Sequence, residues 1–281
     1  MDLIRNNTFN NEIILVDGHS GTGKSLISKV LEGFEGVEKS LEDEPFQLTQ
    51  WLYRLKKIDK PTAIVMLRIW ADRYLYNLMI GRNLNNRPTD VTTLDKCPNK
   101  QTYFDRMHLP DHDDVTQRII QERPIFQNMS QNAIIEADIY FDAFGDRLKI
   151  IYIHRNLEDA IKNTMISNFG YRMGTDPTDL CLTLNYNGNP IPYYAHTWKE
   201  EYLNMDGIER VTKWIMQETS YANRSYNFLH EDLKKQIMFI DFEEFITHPY
   251  GQCERISNFI GRKPTNKLDD ILKQQGCPRK L

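Results

Sequence analysis

The sequence predicts an α/β fold of three layers, in which a mostly parallel central sheet lies between two layers of helices. Short apolar runs typical of buried parallel strands alternate with segments of helical spacing. A glycine-rich loop joins the first of these strands to a helix. The length of 281 residues suits one α/β domain. We therefore predict a single domain over 1–281, with long loops at about 81–114 and 170–195.

The composition is that of a globular protein without a strongly charged partner. Apolar residues make up 40% of the chain and charged residues 26%. The net charge of -4 argues against a role in binding nucleic acid or an anionic membrane. The N-terminus lacks the apolar core of a signal peptide, and no apolar run approaches the ~20 residues of a membrane span. We therefore predict a cytoplasmic protein without a membrane span. The sequence carries no signal for its oligomeric state.

The first half of the chain predicts two strands and three helices. The apolar run at 12–17 is the first strand, and the glycine-rich loop leads from it into a helix at 25–31. Helical spacing recurs at 46–55. A second strand is predicted at 62–67, followed by a helix at 73–80.

The second half predicts the remaining strands of the sheet. Residues 149–154 and 236–241 are short apolar runs that predict strands. Helices are predicted at 132–144, 157–168, 197–229 and around 256–260. The stretch 81–114, rich in Asn, Asp and Pro, predicts an irregular insertion or lid, and 170–195 predicts a second one.

Residues 18–25 read Gly-His-Ser-Gly-Thr-Gly-Lys-Ser and fit the phosphate-loop pattern G-x-x-x-x-G-K-[ST], the Walker A motif, in full. The glycines let several backbone N–H groups point at one phosphate, and the helix N-terminus adds its partial positive charge. Lys24 can reach terminal phosphate or sulfate oxygens, and Ser25 can cap the helix or hold Mg²⁺. The nucleotide-binding residues of this P-loop are predicted to be Ser20, Gly21, Thr22, Gly23, Lys24 and Ser25.

A second candidate for phosphate binding begins at Arg155. This residue directly follows the strand at 149–154, at the edge of a parallel sheet where ligands bind. Asn156 can cap the next helix, and Asn163 lies eight residues beyond Arg155 on that helix. An Arg and a short polar side chain could hold one phosphate group between them. The alternative is that Arg155 forms a surface ion pair.

This segment resembles the 3′-phosphate-binding segment of the sulfotransferase family, which uses 3′-phosphoadenosine 5′-phosphosulfate (PAPS). The family pattern is a strand running into Arg-Asn-Pro-x-Asp, with a Ser farther along the helix. Arg155, Asn156 and Asp159 match it, and Asn163 takes the place of the Ser. Residues 237–261 are similar to the family's late strand, acidic pair, Pro and glycine ending. The resemblance implies a transferase that moves a sulfuryl group from PAPS to a hydroxyl or amine of an unidentified acceptor.

The sequence departs from the family pattern at two points. Leu157 replaces the Pro of the 3′-phosphate segment, and His19 stands where the family often has Lys or Arg before Ser-Gly-Thr. Lys24 could supply the missing cation. The complete Walker A loop therefore keeps a second hypothesis open, a kinase that transfers phosphate from Mg-ATP to a small molecule or nucleotide. A nucleotide-gated binding protein without catalysis is a third.

The kinase hypothesis needs an acidic partner for Mg²⁺ at a strand end. Asp17 lies close to the loop in sequence, and Asp241 follows a late apolar run. Asp72 is the better candidate if 62–67 is a central strand. No resident metal site is predicted, because the acidic run at 111–114 reads as a solvated surface and the cysteines form no CxxC pair.

Sulfuryl transfer needs a base for the acceptor's proton and cations for the leaving phosphate. The predicted catalytic residues are Lys24, Glu44 and His19. Glu44 lies in a stretch that resembles carbohydrate-type members of the family, which would make it the base; an acidic helix start is the alternative. His108 and His112, in the insertion at 81–114, are either further candidates for the base or exposed loop residues.

Overall fold

The central sheet of this computed structural model is parallel, as the sequence predicts. The structure describes residues 3–9, 11–42, 44–90 and 92–280, and the side chains of Leu41, Glu42 and Glu44 lie outside that description. The strands are β1 (Ile13–Asp17), β2 (Leu41–Glu42), β3 (Phe126–Met129), β4 (Leu148–His154), β5 (Thr183–Tyr186), β6 (Asn189–Pro192) and β7 (Ile237–Asp241). The order β2-β3-β1-β4-β7 forms the sheet, and every neighbouring pair in it is parallel. Strands β5 and β6 form a separate antiparallel hairpin.

Helices cover both faces of this sheet. They are α1 (Lys24–Leu31), α2 (Glu44–Arg54), α3 (Lys60–Met79), α4 (Lys100–Arg106), α5 (Asp113–Glu122), α6 (Ala137–Phe144), α7 (Leu157–Ile166), α8 (Phe169–Arg172), α9 (Lys199–Asn204), α10 (Gly207–Phe228), α11 (Glu231–Lys234), α12 (Phe242–Thr247), α13 (Pro249–Ile260) and α14 (Leu268–Gln274). Within the described ranges, none of these helices combines the length and apolarity needed to cross a bilayer.

Alternation along the strands divides the core into two clusters. In β1, Ile13 and Leu15 pack with α3 and α6 on one face, whereas Ile14 and Val16 pack with α1, α13 and α14 on the other. Successive side chains of a strand point to opposite faces, so a strand buried on both faces must be apolar throughout. The three-layer α/β prediction is confirmed.

The strand predicted at 62–67 is wrong, because this segment is the first half of α3. Asp59 is the N-cap and accepts a hydrogen bond from the N–H of Thr62, and a Pro stands in the first turn. Ala63, Leu67 and Ala71 are buried at a spacing of four residues. A short apolar run can belong to a buried helix or to a strand, and the capping residues decide here for the helix.

The two predicted long loops contain short regular elements. The segment 81–114 holds a 3₁₀ turn at Leu94–Lys96, all of α4 and the start of α5. The segment 170–195 holds the β5–β6 hairpin and 3₁₀ turns at Pro177–Asp179 and Tyr193–Ala195. Both segments reach the carboxyl edge of the sheet, where they line the cavity described next.

Candidate active site

The loop at 18–23 turns the chain from β1 into α1 at the carboxyl edge of the sheet. Gly21 and Gly23 have φ angles of 76° and 96°, a region in which L side chains are strained. A Cβ atom at Gly23 would lie 2.2 Å from Cε2 of Phe242, and one at Gly21 would lie 2.6 Å from the Ala160 carbonyl oxygen. These glycines therefore allow the loop to lie directly against α12 and α7.

The first turn of α1 has no side-chain cap. Gly23 is the N-cap residue, so the cap offered for Ser25 is not formed, and Ser25 lies inside the helix with an exposed side chain. The first N–H groups of a helix have no carbonyl partner within it, and they carry the positive end of the helix dipole. The arrangement suits an anion bound at the start of α1.

The ammonium group of Lys24 lies over the loop. Its Nζ donates to the carbonyl oxygens of Gly18 at 2.9 Å and of His19 at 2.6 Å. Thr22 Oγ1 donates to the same His19 oxygen at 2.9 Å. The positive charge of Lys24 is therefore fixed within the loop, where it can stabilise a bound anion.

Arg155 follows β4 and contacts the loop from the neighbouring strand. Its Nη1 donates to the carbonyl oxygen of Gly21 at 2.9 Å, and its guanidinium carbon lies 4.3 Å from the centre of the Phe242 ring. Its Nε lies 3.8 Å from a carboxylate oxygen of Glu243. The ion pair that the sequence left open is thus present, and the same side chain also forms part of the loop's surroundings.

Helix α7 packs on the loop and carries Asn163. Asn156 caps this helix as predicted, because its side chain accepts N–H bonds from the first turn. Asn163, two turns farther along, donates to a carbonyl of its own helix at 2.7 Å. Oγ1 of Thr164 lies 3.1 Å from the carbonyl oxygen of Ser20. The helix therefore places Asn163 on the side of the loop that Arg155 also contacts.

A cavity of about 760 Å³ opens over the loop. Ligand pockets of proteins usually measure ~300–1,000 Å³, so this one can take a nucleotide together with part of an acceptor. It is lined by the predicted ligand-binding residues Ser20, Gly21, Thr22, Gly23, Lys24, Ser25, Arg155 and Asn163. The remaining wall comes from α2, the segment after β3, the end of α7 and the two long loops, through Gln47, Trp51, Asn85, Asp90, Thr92, Met129, Gln131, Ser167, Phe169, Met173, Asp179, Leu180 and Cys181.

Several buried polar atoms in this wall lack a hydrogen-bond partner among the described residues. The donors are Trp51 Nε1, Gln131 Nε2 and Arg155 Nε, and the acceptor is Asp179 Oδ1. An unpaired buried polar group costs ~1–3 kcal/mol, which a ligand or an ordered water can recover. The unpaired donors suit a ligand rich in phosphate and hydroxyl oxygens, so the residues present fit PAPS.

His19 does not line this cavity. Its side chain is buried, with Nε2 2.8 Å from Thr219 Oγ1 and Nδ1 3.1 Å from Asn132 Nδ2. Burial, and next the charge of Lys24, lower the pKa of His19 to about 3. The predicted catalytic histidine therefore faces α10. It lines a separate cavity of about 450 Å³ with Thr22 and Arg155, but both of its ring nitrogens already have protein partners.

Of the other predicted bases, the structure describes the side chains of His108 and His112 but not that of Glu44. Glu44 begins α2, the helix that lines the cavity, but its side chain lies outside the description. His108 and His112 are exposed and do not line the cavity. His154, at the end of β4, stacks on the ring of Phe239 at 5.1 Å.

The acidic residues considered for Mg²⁺ have other partners. Asp17 accepts two backbone N–H bonds at 2.9 Å after β3, and Asp241 caps α12. Asp72 lies in α3, where it pairs with Arg5 at 2.5 Å. Within the described ranges, no group of three or more His, Cys, Asp or Glu residues is arranged to hold a metal ion. No observation therefore favours the kinase hypothesis.

Sequence reasoning missed the residues that complete the wall. Gln131 follows β3, whose residues Gln127 and Asn128 are polar but fully buried, so hydropathy gave no signal for this strand. Trp51 lies in a helix that was predicted, but its position in the wall depends on packing between distant segments. Phe242 follows the last strand, and only the close approach of α12 to Gly23 shows its role.

Comparison with known proteins places these features in a family. The model of the sulfotransferase domain family matches residues 127–275. This match covers most of β3 and all of β4 and β7, together with Arg155 and Asn163, and it begins after the loop at 18–25. No curated relative matches the sequence.

Solved structures of sulfotransferases are similar in fold. The sulfotransferase domain from the curacin biosynthetic pathway is 11% identical, with a TM-score of 0.50 over 93% of this chain and 77% of that one. The sulfotransferase domain of the Synechococcus PCC 7002 olefin synthase is 13% identical, with a TM-score of 0.43 over 95% and 79%. A sulfotransferase from Alicyclobacillus acidocaldarius is 12% identical, with a TM-score of 0.42 over 97% and 91%. At such low identity the first of these likenesses shows the fold alone.

Proposed function

Because this chain belongs to the sulfotransferase domain family and is therefore an enzyme of sulfuryl transfer, we propose that its donor is PAPS and that its acceptor is a hydroxyl or an amine. The observation that carries this proposal is that the loop cation Lys24 and the second cation Arg155 line one cavity. Two cations in one cavity suit a donor with two separate anionic groups, the 5′-phosphosulfate and the 3′-phosphate.

The loop residues would hold the 5′-phosphosulfate. The N–H groups at the start of α1 and the ammonium of Lys24 would bind its oxygens, with the hydroxyls of Ser20, Thr22 and Ser25 around them. When bound, PAPS supplies an activated sulfuryl group and a phosphate leaving group. Lys24 would then stabilise the charge that develops on the leaving phosphate, which is electrostatic catalysis by a group already in place.

Arg155 and Asn163 would hold the 3′-phosphate. The guanidinium is oriented by Phe242 and by the Gly21 carbonyl, and its Nε has no hydrogen-bond partner in the described structure. A planar guanidinium with donors left over suits a phosphate dianion. Asn163 can direct an amide N–H to the same group from α7.

A carboxylate would take the proton of the acceptor. Glu44 is the residue that the sequence indicates, and Asp179 is a second candidate. The Asp179 carboxylate accepts the N–H of Gly174 through Oδ2 at 3.0 Å, whereas its Oδ1 has no partner in the described chain. Both oxygens of Asp90, the other lining carboxylate, already have side-chain partners. Transfer would proceed by direct attack of the acceptor on sulfur, with the geometry supplied by the cavity.

We propose that the whole chain acts as one catalytic domain. The cavity takes residues from the loop at one end of the sequence and from the segment around Cys181 in its middle. The loop also touches Phe242, which follows the last strand. Removal of any of these segments would open the site.

The proposal is tested by calorimetric binding of adenosine 3′,5′-bisphosphate (PAP), the product of the donor, against ATP with and without Mg²⁺. We expect PAP to bind without Mg²⁺ and more tightly than Mg-ATP, because Arg155 meets a 3′-phosphate only in PAP. A clear preference for Mg-ATP would contradict the choice of donor.

The base is tested by release of PAP from PAPS with a panel of phenols, sugars and amines as acceptors. We expect either Glu44→Gln or Asp179→Asn to lower turnover by about 10²–10⁴-fold while PAP affinity stays unchanged. Asp90→Asn is the matched control, since it neutralises a carboxylate of the same wall. Equal, small effects of the first two substitutions would reject a carboxylate base.

A further inference from the structure

His19 is the point at which a buried polar network meets the phosphate loop. Asn132 directs its amide nitrogen to both His19 Nδ1 at 3.1 Å and Glu218 Oε2 at 2.8 Å. Glu218 Oε1 accepts from Arg54 Nη1 at 2.5 Å, and Arg54 also pairs with Glu136. The network thus joins the loop to α2, to α10 and to the turn before α6.

The network fixes the protonation state of His19 by its geometry. The Asn132 amide must present its NH₂ group to the Glu218 carboxylate, because its oxygen there would face another acceptor. The same NH₂ group then donates to His19 Nδ1, which must be unprotonated. Nε2 carries the proton and donates to Thr219 Oγ1 at 2.8 Å, and Thr219 donates in turn to the Ile215 carbonyl at 2.8 Å. With a neutral imidazole, both ring nitrogens of His19, the Asn132 amide nitrogen and the Thr219 hydroxyl all have hydrogen-bond partners.

The charges around His19 also disfavour an imidazolium. Lys24, His154 and Arg54 all lower the pKa of His19, in addition to its burial. The nearest carboxylate of the network, Glu218, is already engaged by Arg54 and Asn132. A second proton on His19 would therefore face cations and lose its hydrogen bond from Asn132.

We propose that His19 is a positioning residue, a neutral imidazole that anchors the phosphate loop to α10 and to the Arg54 network and that contacts neither nucleotide nor acceptor. At position 19 the loop therefore carries a neutral anchor and no cation. Lys24 remains as the loop's cation. Because α2 carries Gln47 and Trp51 into the cavity, the anchor also fixes that wall relative to the loop.

This inference rests on the proposed function only in the choice of PAP as the ligand. Its test therefore uses PAP and a second probe that does not depend on that choice. PAP reports the whole nucleotide site, and pyrophosphate reports the loop, which both the sulfotransferase and the kinase hypotheses employ. We expect His19→Leu and Thr219→Val each to lower the affinity for both probes about tenfold, because each breaks the hydrogen bond between His19 and Thr219. Thr219→Val keeps the shape of its side chain and so guards against simple misfolding of His19→Leu. Thr212→Val, on the same helix, is the matched control and should bind as the unmodified protein.

Two substitutions at His19 separate positioning from direct contact. His19→Gln keeps a donor toward Thr219 and should bind PAP within about threefold of the unmodified protein. His19→Arg places a cation at this position and should weaken the binding of PAP, because a buried guanidinium would have no carboxylate left to pair with. Tighter binding by His19→Arg would overturn the inference and would indicate that residue 19 contacts the anion.

Imidazole ¹⁵N NMR decides the protonation state without any ligand. We expect one resonance pair, absent from His19→Gln, with the proton on Nε2 and no titration above about pH 5. The ratio of PAP affinities between the unmodified protein and His19→Gln should stay constant from about pH 5.5 to pH 8. Titration of His19 near its ordinary value of about 6.5 would overturn the inference. Failure of the unmodified protein to bind PAP would reject the proposed function instead, and pyrophosphate binding and NMR would still decide the role of His19.

Discussion

The two cations of the cavity are held in different ways, and each difference can be measured. Lys24 is tied to carbonyl oxygens of the loop itself, whereas Arg155 is held between the Gly21 carbonyl, the Phe242 ring and Glu243. The first arrangement places a charge at the start of α1, and the second places it beside the loop. Removal of Lys24 and removal of Arg155 should therefore weaken the binding of different parts of a nucleotide.

For Lys24→Ala we expect the affinity for PAP to fall roughly ten- to a hundredfold, because a hydrogen bond to a charged group is lost from a partly buried site. Calorimetry measures this loss. Lys162→Ala is the matched control: this lysine lies on α7, is 70% exposed and pairs weakly with Asp159 at 3.8 Å. Its removal changes the net charge equally and should leave the affinity within about twofold. Equal losses in the two variants would mean that Lys24 acts only through the overall charge.

For Arg155→Ala we expect a loss that depends on the 3′-phosphate. The affinity for PAP should fall roughly ten- to a hundredfold, whereas that for 5′-AMP, which lacks this phosphate, should fall at most about threefold. Arg224→Ala, on an exposed position of α10, controls for the loss of a positive charge. A similar loss for both nucleotides would contradict the assignment of Arg155 to the 3′-phosphate.

At the scale of elements, the loop packs so closely against α12 that position 23 has no room for a side chain. Gly23 has a φ angle of 96°, and a Cβ atom there would lie 2.2 Å from the Phe242 ring. Gly261 also has a positive φ, of 69°, and its ψ of 29° is close to the 19° of Gly23, but a Cβ atom there would meet nothing within 4 Å. The pair therefore separates the strain of the backbone from the cost of the clash.

We expect Gly261→Ala to cost about 1 kcal/mol of unfolding free energy, from backbone strain alone. Gly23→Ala should cost at least about 2 kcal/mol more, since Phe242 must move, and should weaken PAP binding as well. Urea unfolding measures both. In a double-mutant cycle, Gly23→Ala and Phe242→Ala should couple favourably, because removal of the ring relieves the clash. If the two substitutions change the unfolding free energy additively, the Phe242 ring is not what opposes a side chain at position 23.

Elements with local signals could be predicted from the sequence, and those that depend on partners could not. The strands at Leu148–His154 and Ile237–Asp241 are apolar runs, and Asn156 and Gly261 mark the ends of helices as expected. Strand β3 carries buried Gln127, whose side chain donates to carbonyls of Ser28 and Glu38. Such a residue is tolerated only because distant backbone atoms pair with it, and no local pattern shows that.

At the scale of the whole molecule, the site is assembled from segments far apart in sequence. The loop and Arg155 could be predicted because their motifs are short and lie at strand ends, where ligands of parallel sheets bind. His19 was predicted in the catalytic set on its position in the motif alone. Its role depends on Thr219 and Asn132, which lie on other elements. The direction of a side chain in a loop of this kind is decided by tertiary packing.

The polar network around Arg54 contains two buried groups, Glu136 and His19, whose pKa values are shifted in opposite directions. Burial raises the pKa of Glu136 to about 7, more than the facing Arg54 lowers it, because a second carboxylate, Glu218, shares that guanidinium. Burial and the charge of Lys24 lower the pKa of His19 to about 3. Between the ordinary values of about 4.5 and 6.5, folding therefore takes up protons at Glu136 and releases them at His19.

Glu136 and His19 therefore change the unfolding free energy in opposite directions as the pH rises. Glu136 binds more protons when folded, so its contribution to stability falls as the pH rises from about 4.5 to 7. His19 binds fewer, so its contribution rises with pH from about 3 to 6.5. Each slope amounts to roughly 1–1.5 kcal/mol per pH unit in the range where both groups titrate, and in the unmodified protein the two slopes nearly cancel.

In urea unfolding between about pH 4.5 and 6.5, His19→Gln should become more stable on acidification relative to the unmodified protein, because only the Glu136 slope remains. Glu136→Gln should become less stable on acidification for the converse reason. Parallel profiles of the two variants would mean that these groups titrate at their ordinary values, and that the polar network does not exclude water as its burial indicates.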